Sequence, residues 1–188
     1  MRLILASASP RRLELLGQLG IVPEVVASDI DEHRLAGETP VEYSRRIAQE
    51  KGLAVAQRFL GESVLVLSAD TEVVLGDEVF GKPLDDGDAA RMLRRLSGIE
   101  HQVISSVCLI DCSQVRLATR VLTQTTRVRM RELSDQDIAI YISSGESRGK
   151  AGAYAIQGRA AAFIERIEGS HSSVMGLPLF ETAQLLAL

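Results

Sequence analysis

Short apolar runs alternate with amphipathic segments of helical spacing along the chain. Residues 64–67 form a continuous apolar run, which is typical of a strand buried on both faces of a sheet. Residues 10–19 carry leucines at positions 13, 16 and 19, with Ser9 placed to cap a helix, Pro10 at its first position and Gly20 after its end. This alternation predicts an α/β domain.

The remaining elements follow from the same kinds of pattern. Thr39-Pro40-Val41-Glu42 is a capping box that opens a long helix to about residue 59, with Val41 on its buried side. Asp86 is predicted to cap a helix through residue 96, and Ser134 one that ends near residue 144. Strands are predicted at residues 2–6, 22–27, 64–67, 101–110, 115–128 and 162–167, with a hairpin of 72–75 and 79–80 and a last helix from 177–178. Parallel and antiparallel runs together predict a mixed sheet, in a single domain of residues 1–188 with two lobes and a central cleft.

Composition and charge exclude several classes of protein. The formal net charge of −4 argues against a general binder of DNA or RNA. No apolar run approaches the roughly 18 residues that a membrane-spanning helix needs. Cys108 and Cys112 are too few for a zinc or disulfide framework, and we interpret them as ordinary small residues. We therefore expect a cytoplasmic protein with no membrane or nucleic-acid partner.

The junction Ser7-Ala8-Ser9-Pro10-Arg11-Arg12 joins a strand to a helix and has the composition of an anion site. A helix N-terminus offers unpaired N–H groups and a partial positive charge, to which Arg11 and Arg12 add like charge. That placement is unfavourable for an isolated helix but suits a bound phosphate, which Ser7 and Ser9 could also contact. The alternative is an ordinary solvated helix start with salt bridges to residues such as Glu14.

Asp70 follows the buried run 64–67 and is predicted to lie at the carboxyl end of that strand, where ligands gather in open α/β sheets. A carboxylate there could hold a divalent metal or accept a proton from water, or it could simply be a turn residue. Its neighbour Thr71 could contact a ligand or begin the next strand. The acidic loop Asp29, Asp31 and Glu32 could complete a cation site with Asp70, although solvated loop charge is the commoner case.

Only three of the 21 basic residues are lysines, namely Lys51, Lys82 and Lys150. A compact ammonium and a planar guanidinium are distinguished by a tight site, so these three positions are candidates for function. Lys82 ends a sequence that fits G-x-x-x-x-G-K, but Pro83 replaces the Ser or Thr that a P-loop needs, which excludes a P-loop. The small-residue loop of residues 150–158 contains Gln157, whose amide could contact the edge of a nucleobase.

Taken together, these motifs resemble the Maf family of nucleoside triphosphate pyrophosphatases. The resemblance covers nearly the whole chain and rests on six motifs in the same order: Leu5-Ala6-Ser7-Ala8-Ser9-Pro10-Arg11-Arg12, Ser68-Ala69-Asp70-Thr71, Gly81-Lys82-Pro83, Lys150-Ala151-Gly152-Ala153-Tyr154, Ile156-Gln157-Gly158 and Gly176-Leu177-Pro178-Leu179. It implies a two-lobed α/β fold related to the inosine triphosphatase group.

The resemblance also implies roles for individual residues. Arg11, Thr71 and Gln157 match the dTTP/UTP branch of the family rather than the 7-methyl-GTP branch, and would set the choice of base. Asp70 would be the proton acceptor, and Glu32 and Lys51 fall where the family has an acidic and a basic active-site residue. Ala155 and His171 depart from residues common in this branch, which puts the fine substrate preference in question but not the reaction.

The sequence thus predicts a hydrolase that cuts dTTP, UTP or a modified pyrimidine nucleotide between its α- and β-phosphates. Ser7, Ser9, Arg12, Lys51 and Lys82, with Arg11, would surround the triphosphate, and Asp70 with Glu32 would hold Mg²⁺ or Mn²⁺. The alternative is a nucleotide-sensing regulator of cell division or septum formation that binds without turnover. An exposed strand edge or helix face could also pair two copies as a homodimer.

Overall fold

A computed structural model describes residues 2–114 and 116–188. The strands are β1 (Arg2–Leu5), β2 (Glu24–Val25), β3 (Val64–Leu75), β4 (Glu78–Phe80), β5 (Glu100–Asp111), β6 (Ala118–Met130) and β7 (Ile164–Glu168). The α-helices are α1 (Pro10–Gln18), α2 (Pro40–Ala56), α3 (Asp86–Leu96), α4 (Asp135–Ser143), α5 (His171–Met175) and α6 (Leu179–Leu186). Short 3₁₀ turns occur at Gln57–Phe59, Ala151–Ala153 and Arg159–Phe163.

The seven strands form one mixed sheet, as the sequence predicts. The strand order is β2-β1-β3-β5-β6-β7, and β4 pairs with β3 outside this path. β1 runs parallel to β2 and β3, whereas the other pairs are antiparallel. The two kinds of pairing arise because β1 and β3 are connected through helix α2, while β3, β5 and β6 follow one another as long antiparallel neighbours.

One stretch of β3 has a backbone partner on only one edge. β1 pairs with β3 up to Leu67, and the pairing of β3 with β4 begins at Val73, while β5 covers the opposite edge over residues 65–74. Between β1 and β4, therefore, no strand of the described residues pairs with this edge at residues 68–72. We call residues 68–72 the open stretch of β3; it lies at the mouth of the cleft.

Side chains of the sheet alternate between two apolar cores, as period-two geometry requires. Even-numbered β3 residues such as Val66 face helix α2, and odd-numbered ones such as Leu67 face α1 and α6. A third core joins the far end of β3 to α3 and α4. The first two cores form one lobe and the third forms the other, which agrees with the predicted two-lobed architecture. Cys108 and Cys112 are buried and unbridged, as expected.

Helix starts were predicted closely because local side-chain hydrogen bonds determine them. Thr39 and Glu42 form the expected capping box, and Ser134 caps α4. At α3 the cap is Asp85, not Asp86, since the Asp85 carboxylate accepts from the Asp88 N–H at 2.7 Å.

Several predicted boundaries were wrong. β3 does not end near Ser68 but continues to Leu75, because β5 pairs along its length, so Asp70 lies within the strand and not at its end. The predicted strand 22–27 shrinks to Glu24–Val25 at the sheet edge, and β7 starts at Ile164, after a 3₁₀ turn. Val41 is 39% exposed, since Pro40 and Tyr43 take the buried positions of the first turn.

The start of β6 and the short helix α5 also differ from the prediction. The expected start of the sixth strand, Val115, lies outside the described residues, and β6 begins at Ala118. The short helix α5 was not predicted; Ser170 caps it by accepting from the Ser173 N–H. In the described part of the chain, no helix has the length and apolar character needed to cross a membrane.

Candidate active site

The loop between β1 and α1 holds Arg12 in a fixed position. The Ser7 hydroxyl accepts hydrogen bonds from the Ser9 N–H at 3.2 Å and from Arg12 Nη1 at 3.1 Å. On its other side, Arg12 donates from Nε to the Gly176 carbonyl at 2.8 Å. Burial lowers the pKa of Arg12, and the nearby Asp70 carboxylate opposes that shift. Ser9 is the N-cap residue of α1, but its side chain makes no capping hydrogen bond, so the helix N-terminus stays open.

Lys51 joins the acidic loop to the open stretch of β3. Its ammonium donates to Glu32 Oε2 at 2.7 Å and to Asp70 Oδ1 at 2.8 Å. The lysine reaches this position because Gly52 lets α2 lie close against the sheet: a Cβ at Gly52 would come within 2.6 Å of Ser68 Oγ. Tyr43, about two turns before Lys51 on α2, donates from its hydroxyl to the Glu32 carbonyl at 3.2 Å and so fixes the acidic loop.

The second oxygen of Asp70, Oδ2, is buried and has no hydrogen-bond partner among the described residues. Two positions further along β3, on the same face, lies the buried carboxyl group of Glu72. Burial raises the pKa of Glu72, and the neighbouring Asp70 carboxylate raises it further. Sequence analysis missed Glu72, although polar residues at even positions 68, 70 and 72 continue the apolar series 64 and 66 and could have indicated it.

Thr71 points to the opposite face of the strand from Asp70. Its hydroxyl lies 2.7 Å from Ser105 Oγ and donates to the Gly176 carbonyl at 3.3 Å. The same Gly176 carbonyl accepts from Arg12, so the turn after α5 ties Thr71 and Arg12 together.

The predicted small-residue loop forms the other side of the cleft. In the amide orientation that satisfies both side chains, the Gln157 oxygen accepts from Arg11 Nη1 at 3.1 Å and from Nε at 3.2 Å. The Gly152 N–H donates to the Gly81 carbonyl at 3.1 Å, which attaches this loop to the segment that carries Lys82. Lys82 is exposed at the cleft, and Lys150 also lines it.

The cleft has a volume of about 1120 Å³, above the 300–1,000 Å³ typical of small-molecule sites. It brings together all the predicted site residues except Gln157, which contacts the cleft through Arg11. Six basic residues line the cleft: Arg11, Arg12, Arg34, Lys51, Lys82 and Lys150. Of the predicted acidic loop, Asp29 is absent from the lining, Asp31 lines the cleft and pairs with His33, and Glu32 is linked to Asp70 through Lys51.

The donor set fits a hard divalent cation that also binds phosphate. The free Asp70 Oδ2 and the neighbouring carboxyl groups are oxygen donors, which Mg²⁺ and Mn²⁺ prefer. Across residues 2–114 and 116–188, no three acidic, histidine or cysteine side chains lie close enough to hold an ion alone. Mg²⁺ often takes only one or two protein carboxylates and completes its shell with phosphate and water oxygens.

The solved structure of a HAM1 protein from Coxiella burnetii has the same fold. It matches 100% of this chain and 98% of its own length with a TM-score of 0.54, at 16% identity. This likeness assigns the chain to a class of two-lobed mixed α/β proteins, and it carries no information on activity.

Sequence similarity places the chain more narrowly than the fold does. The family model of Maf-like proteins matches residues 2–188. A curated relative from Hahella chejuensis, named dTTP/UTP pyrophosphatase, is 49% identical over 98% of this chain and 90% of its own. Another of the same name, from Xanthomonas axonopodis pv. citri, is 51% identical over 98% of this chain and 96% of its own. The chain belongs to the Maf-like family.

Proposed function

We propose that this protein is a metal-dependent nucleoside triphosphate pyrophosphatase that hydrolyses dTTP and UTP to the monophosphate and pyrophosphate. The observation that carries the proposal is Asp70, whose oxygen Oδ2 is buried without a hydrogen-bond donor among the described residues, at a cleft lined by six basic residues. The names of the full-length relatives support the substrates. The departures at Ala155 and His171 leave room for modified pyrimidine nucleotides as further substrates.

The triphosphate would lie between the β1–α1 loop and the far lobe. Ser7, Ser9 and Arg12 offer hydroxyl and guanidinium donors at the open N-terminus of α1, which favours an anion. Lys51 from α2 and Lys82 from the far lobe supply positive charge from the two other sides. Such fixed cations stabilise the charge that develops on the leaving pyrophosphate, which is usually the largest contribution to catalysis of this kind.

Asp70 has the geometry of a proton acceptor. Because Lys51 holds Oδ1, the carboxylate is oriented and Oδ2 is left free for water. The water oxygen bonds to the α-phosphorus, the bond from that phosphorus to the α–β bridging oxygen breaks, and pyrophosphate leaves with the electron pair. Asp70 takes up the proton of the water.

Asp70 and Glu32 are the two residues proposed to hold Mg²⁺ or Mn²⁺. Glu32 has one oxygen on Lys51, and its side chain is 38% exposed, so its other oxygen can turn toward the cleft. When bound, the ion would neutralise phosphate charge and polarise the phosphorus under attack.

Arg11, Thr71 and Gln157 are proposed to choose the base. Because the Gln157 oxygen accepts from Arg11, its amide N–H groups remain to donate to a carbonyl oxygen of thymine or uracil. Thr71 lies on the face of β3 opposite Asp70, so base selection and hydrolysis would use different faces of the open stretch.

The test is pyrophosphate release from a panel of canonical and modified nucleoside triphosphates, with Mg²⁺, with Mn²⁺ and with chelator. We expect metal-dependent release from dTTP and UTP, and loss of turnover with retained nucleotide binding in Asp70→Asn. Activity confined to purine nucleotides would contradict the proposed specificity. Near wild-type turnover of Asp70→Asn would contradict its role.

A nucleotide-sensing regulator of cell division remains the contrasting function, and the names of the relatives favour the enzyme. Tight nucleotide binding with no release from any member of the panel would favour the regulator.

We also propose that residues 1–188 form one domain in the cytoplasm; the family match over residues 2–188 supports the single domain. Homodimer formation stays a prediction from the sequence.

A further inference from the structure

Glu72 is a buried carboxyl group that the fold does not use. Glu72 is 7% exposed on β3, no basic side chain of the described residues forms a salt bridge with it, and its hydrogen-bonding neighbour is the carboxyl group of Asp70. Burying a carboxylate without a charged partner costs folding free energy. Valine, the residue that follows Glu72 in the strand, suits a buried strand and carries no such cost. A buried acid that neighbours another carboxyl group and has no basic partner among the described residues therefore points to a cation that the protein alone does not supply.

The placement of Glu72 indicates the class of that ligand. Asp70 and Glu72 are two residues apart on one strand, so both side chains leave the same face of the sheet. Both residues line the cleft, and Asp70 Oδ2 is buried with no hydrogen-bond donor from the residues that the structure describes. Two neighbouring carboxyl groups with free oxygens attract a hard cation.

The charges nearby leave room for one more cation. Glu32, Asp70 and Glu72 are the carboxyl groups around this point, and Lys51 and Arg12 are the two cations that face them. Lys51 already holds Glu32 and one oxygen of Asp70. Glu72 and Asp70 Oδ2 are thus the oxygens that no cation of the protein contacts.

We propose that Glu72 binds the divalent cation together with Asp70, as a protein ligand in addition to those the sequence predicts. This inference deepens the proposed function and rests on its metal requirement. With two adjacent carboxylates from β3, the ion would be fixed to the sheet, and phosphate and water oxygens would complete its shell.

The test is Mn²⁺ binding, measured by electron paramagnetic resonance from the loss of the free-ion signal. Wild type, Glu72→Gln, Asp70→Asn and Glu32→Gln are titrated alone and with an α,β-imido analogue of dUTP, which cannot be cleaved. Glu78→Gln is the matched control, because Glu78 also lines the cleft but pairs with Arg95. We expect Glu72→Gln to weaken Mn²⁺ binding at least about tenfold, as Asp70→Asn does, and Glu78→Gln to leave it unchanged.

Thermal unfolding without metal distinguishes a residue that binds the metal from one that only stabilises the fold. Because the Glu72 carboxyl group lies against the Asp70 carboxyl group, and a glutamine amide can still donate a hydrogen bond to Asp70, the Tm of metal-free Glu72→Gln should equal or exceed that of the wild type, and added Mn²⁺ should raise it less. Glu72→Val repeats both measurements with a residue that suits a buried strand. Mn²⁺ affinity of both variants within about twofold of wild type would overturn the inference. Failure of the wild type to release pyrophosphate would instead overturn the proposed function, and the binding comparison without nucleotide would still decide the role of Glu72.

Discussion

Replacement of Lys51 by methionine tests how the buried charges of the cleft depend on one another. The Lys51 side chain is 10% exposed and holds Asp70, which is 4% exposed, and Glu32, which is 38% exposed. When the ammonium is removed, Glu32 can turn to water, but Asp70 cannot. Methionine has nearly the same helix propensity as lysine, so α2 itself should be unaffected.

The expected loss of stability follows from the charge left behind. Removing one partner of a buried ion pair costs about 3–5 kcal/mol, since the other charge stays in a poorly solvated place. With a urea m-value of about 2–3 kcal/mol/M, that loss lowers the unfolding midpoint by about 1–2.5 M. The double variant Lys51→Met/Asp70→Asn removes both charges and should recover at least half of the loss.

Urea denaturation at pH 7, followed by circular dichroism, measures these midpoints. Lys82→Met is the control, because Lys82 is exposed at the cleft and its loss should change stability by no more than about 0.5 kcal/mol. A Lys51→Met midpoint equal to that of wild type would refute the argument. So would a double variant less stable than Lys51→Met alone, because it would mean that the ion pair is not what Lys51 contributes.

Three further predictions concern packing, pH and base choice. Gly52→Ala should cost about 1–3 kcal/mol in urea unfolding, because its Cβ would lie 2.6 Å from Ser68 Oγ, whereas Gly17→Ala, with open space around it, should not destabilise. Burial lowers the pKa of His101 from 6.5 to about 4. The unfolded chain therefore takes up the proton first, and stability should fall by up to about 3 kcal/mol as pH drops from 6.5 to 4. Urea midpoints measured across this range should lose that part of their pH dependence in His101→Gln; an unchanged profile would show that His101 is not responsible. Gln157→Ala should lower kcat/KM for dTTP about tenfold, the worth of one hydrogen bond, and an unchanged ratio of dTTP to purine turnover would contradict its role.

The parts of the fold that were predictable are those determined by neighbours in the sequence. The capping box at Thr39 and Glu42 involves four consecutive residues, and the phosphate-site candidates around Ser7 lie within one loop. Pairing between distant segments was not predictable in the same way. Residues 68–71, Ser-Ala-Asp-Thr, have the composition of a turn, yet β5, some 35 residues later, pairs with them and keeps β3 extended.

The candidate site shows the same division. Asp70 was found because a carboxylate after an apolar run is conspicuous, and Lys51 was singled out because lysine is scarce in this chain, but the pairing of the two was not predicted. The alternation of residues 68, 70 and 72 could have indicated that Glu72 faces the same way as Asp70, but nothing near it in sequence shows that the described residues around it on the sheet supply no basic partner. A missing partner is a property of the assembled site, and local pattern cannot reveal it.

The arrangement of donors shows how the site can be rigid and still bind phosphate. Lys51 has three N–H donors, and its hydrogen bonds to Glu32 and Asp70 use two of them. Arg12 has five, and its bonds to Ser7 and Gly176 use one each from Nη1 and Nε. Each cation is therefore held in place by the protein and retains at least one donor for a phosphate oxygen. Since these side chains are already ordered, the triphosphate can bind without the entropic cost of immobilising them, and the cleft is preorganised for the charge that develops as pyrophosphate leaves.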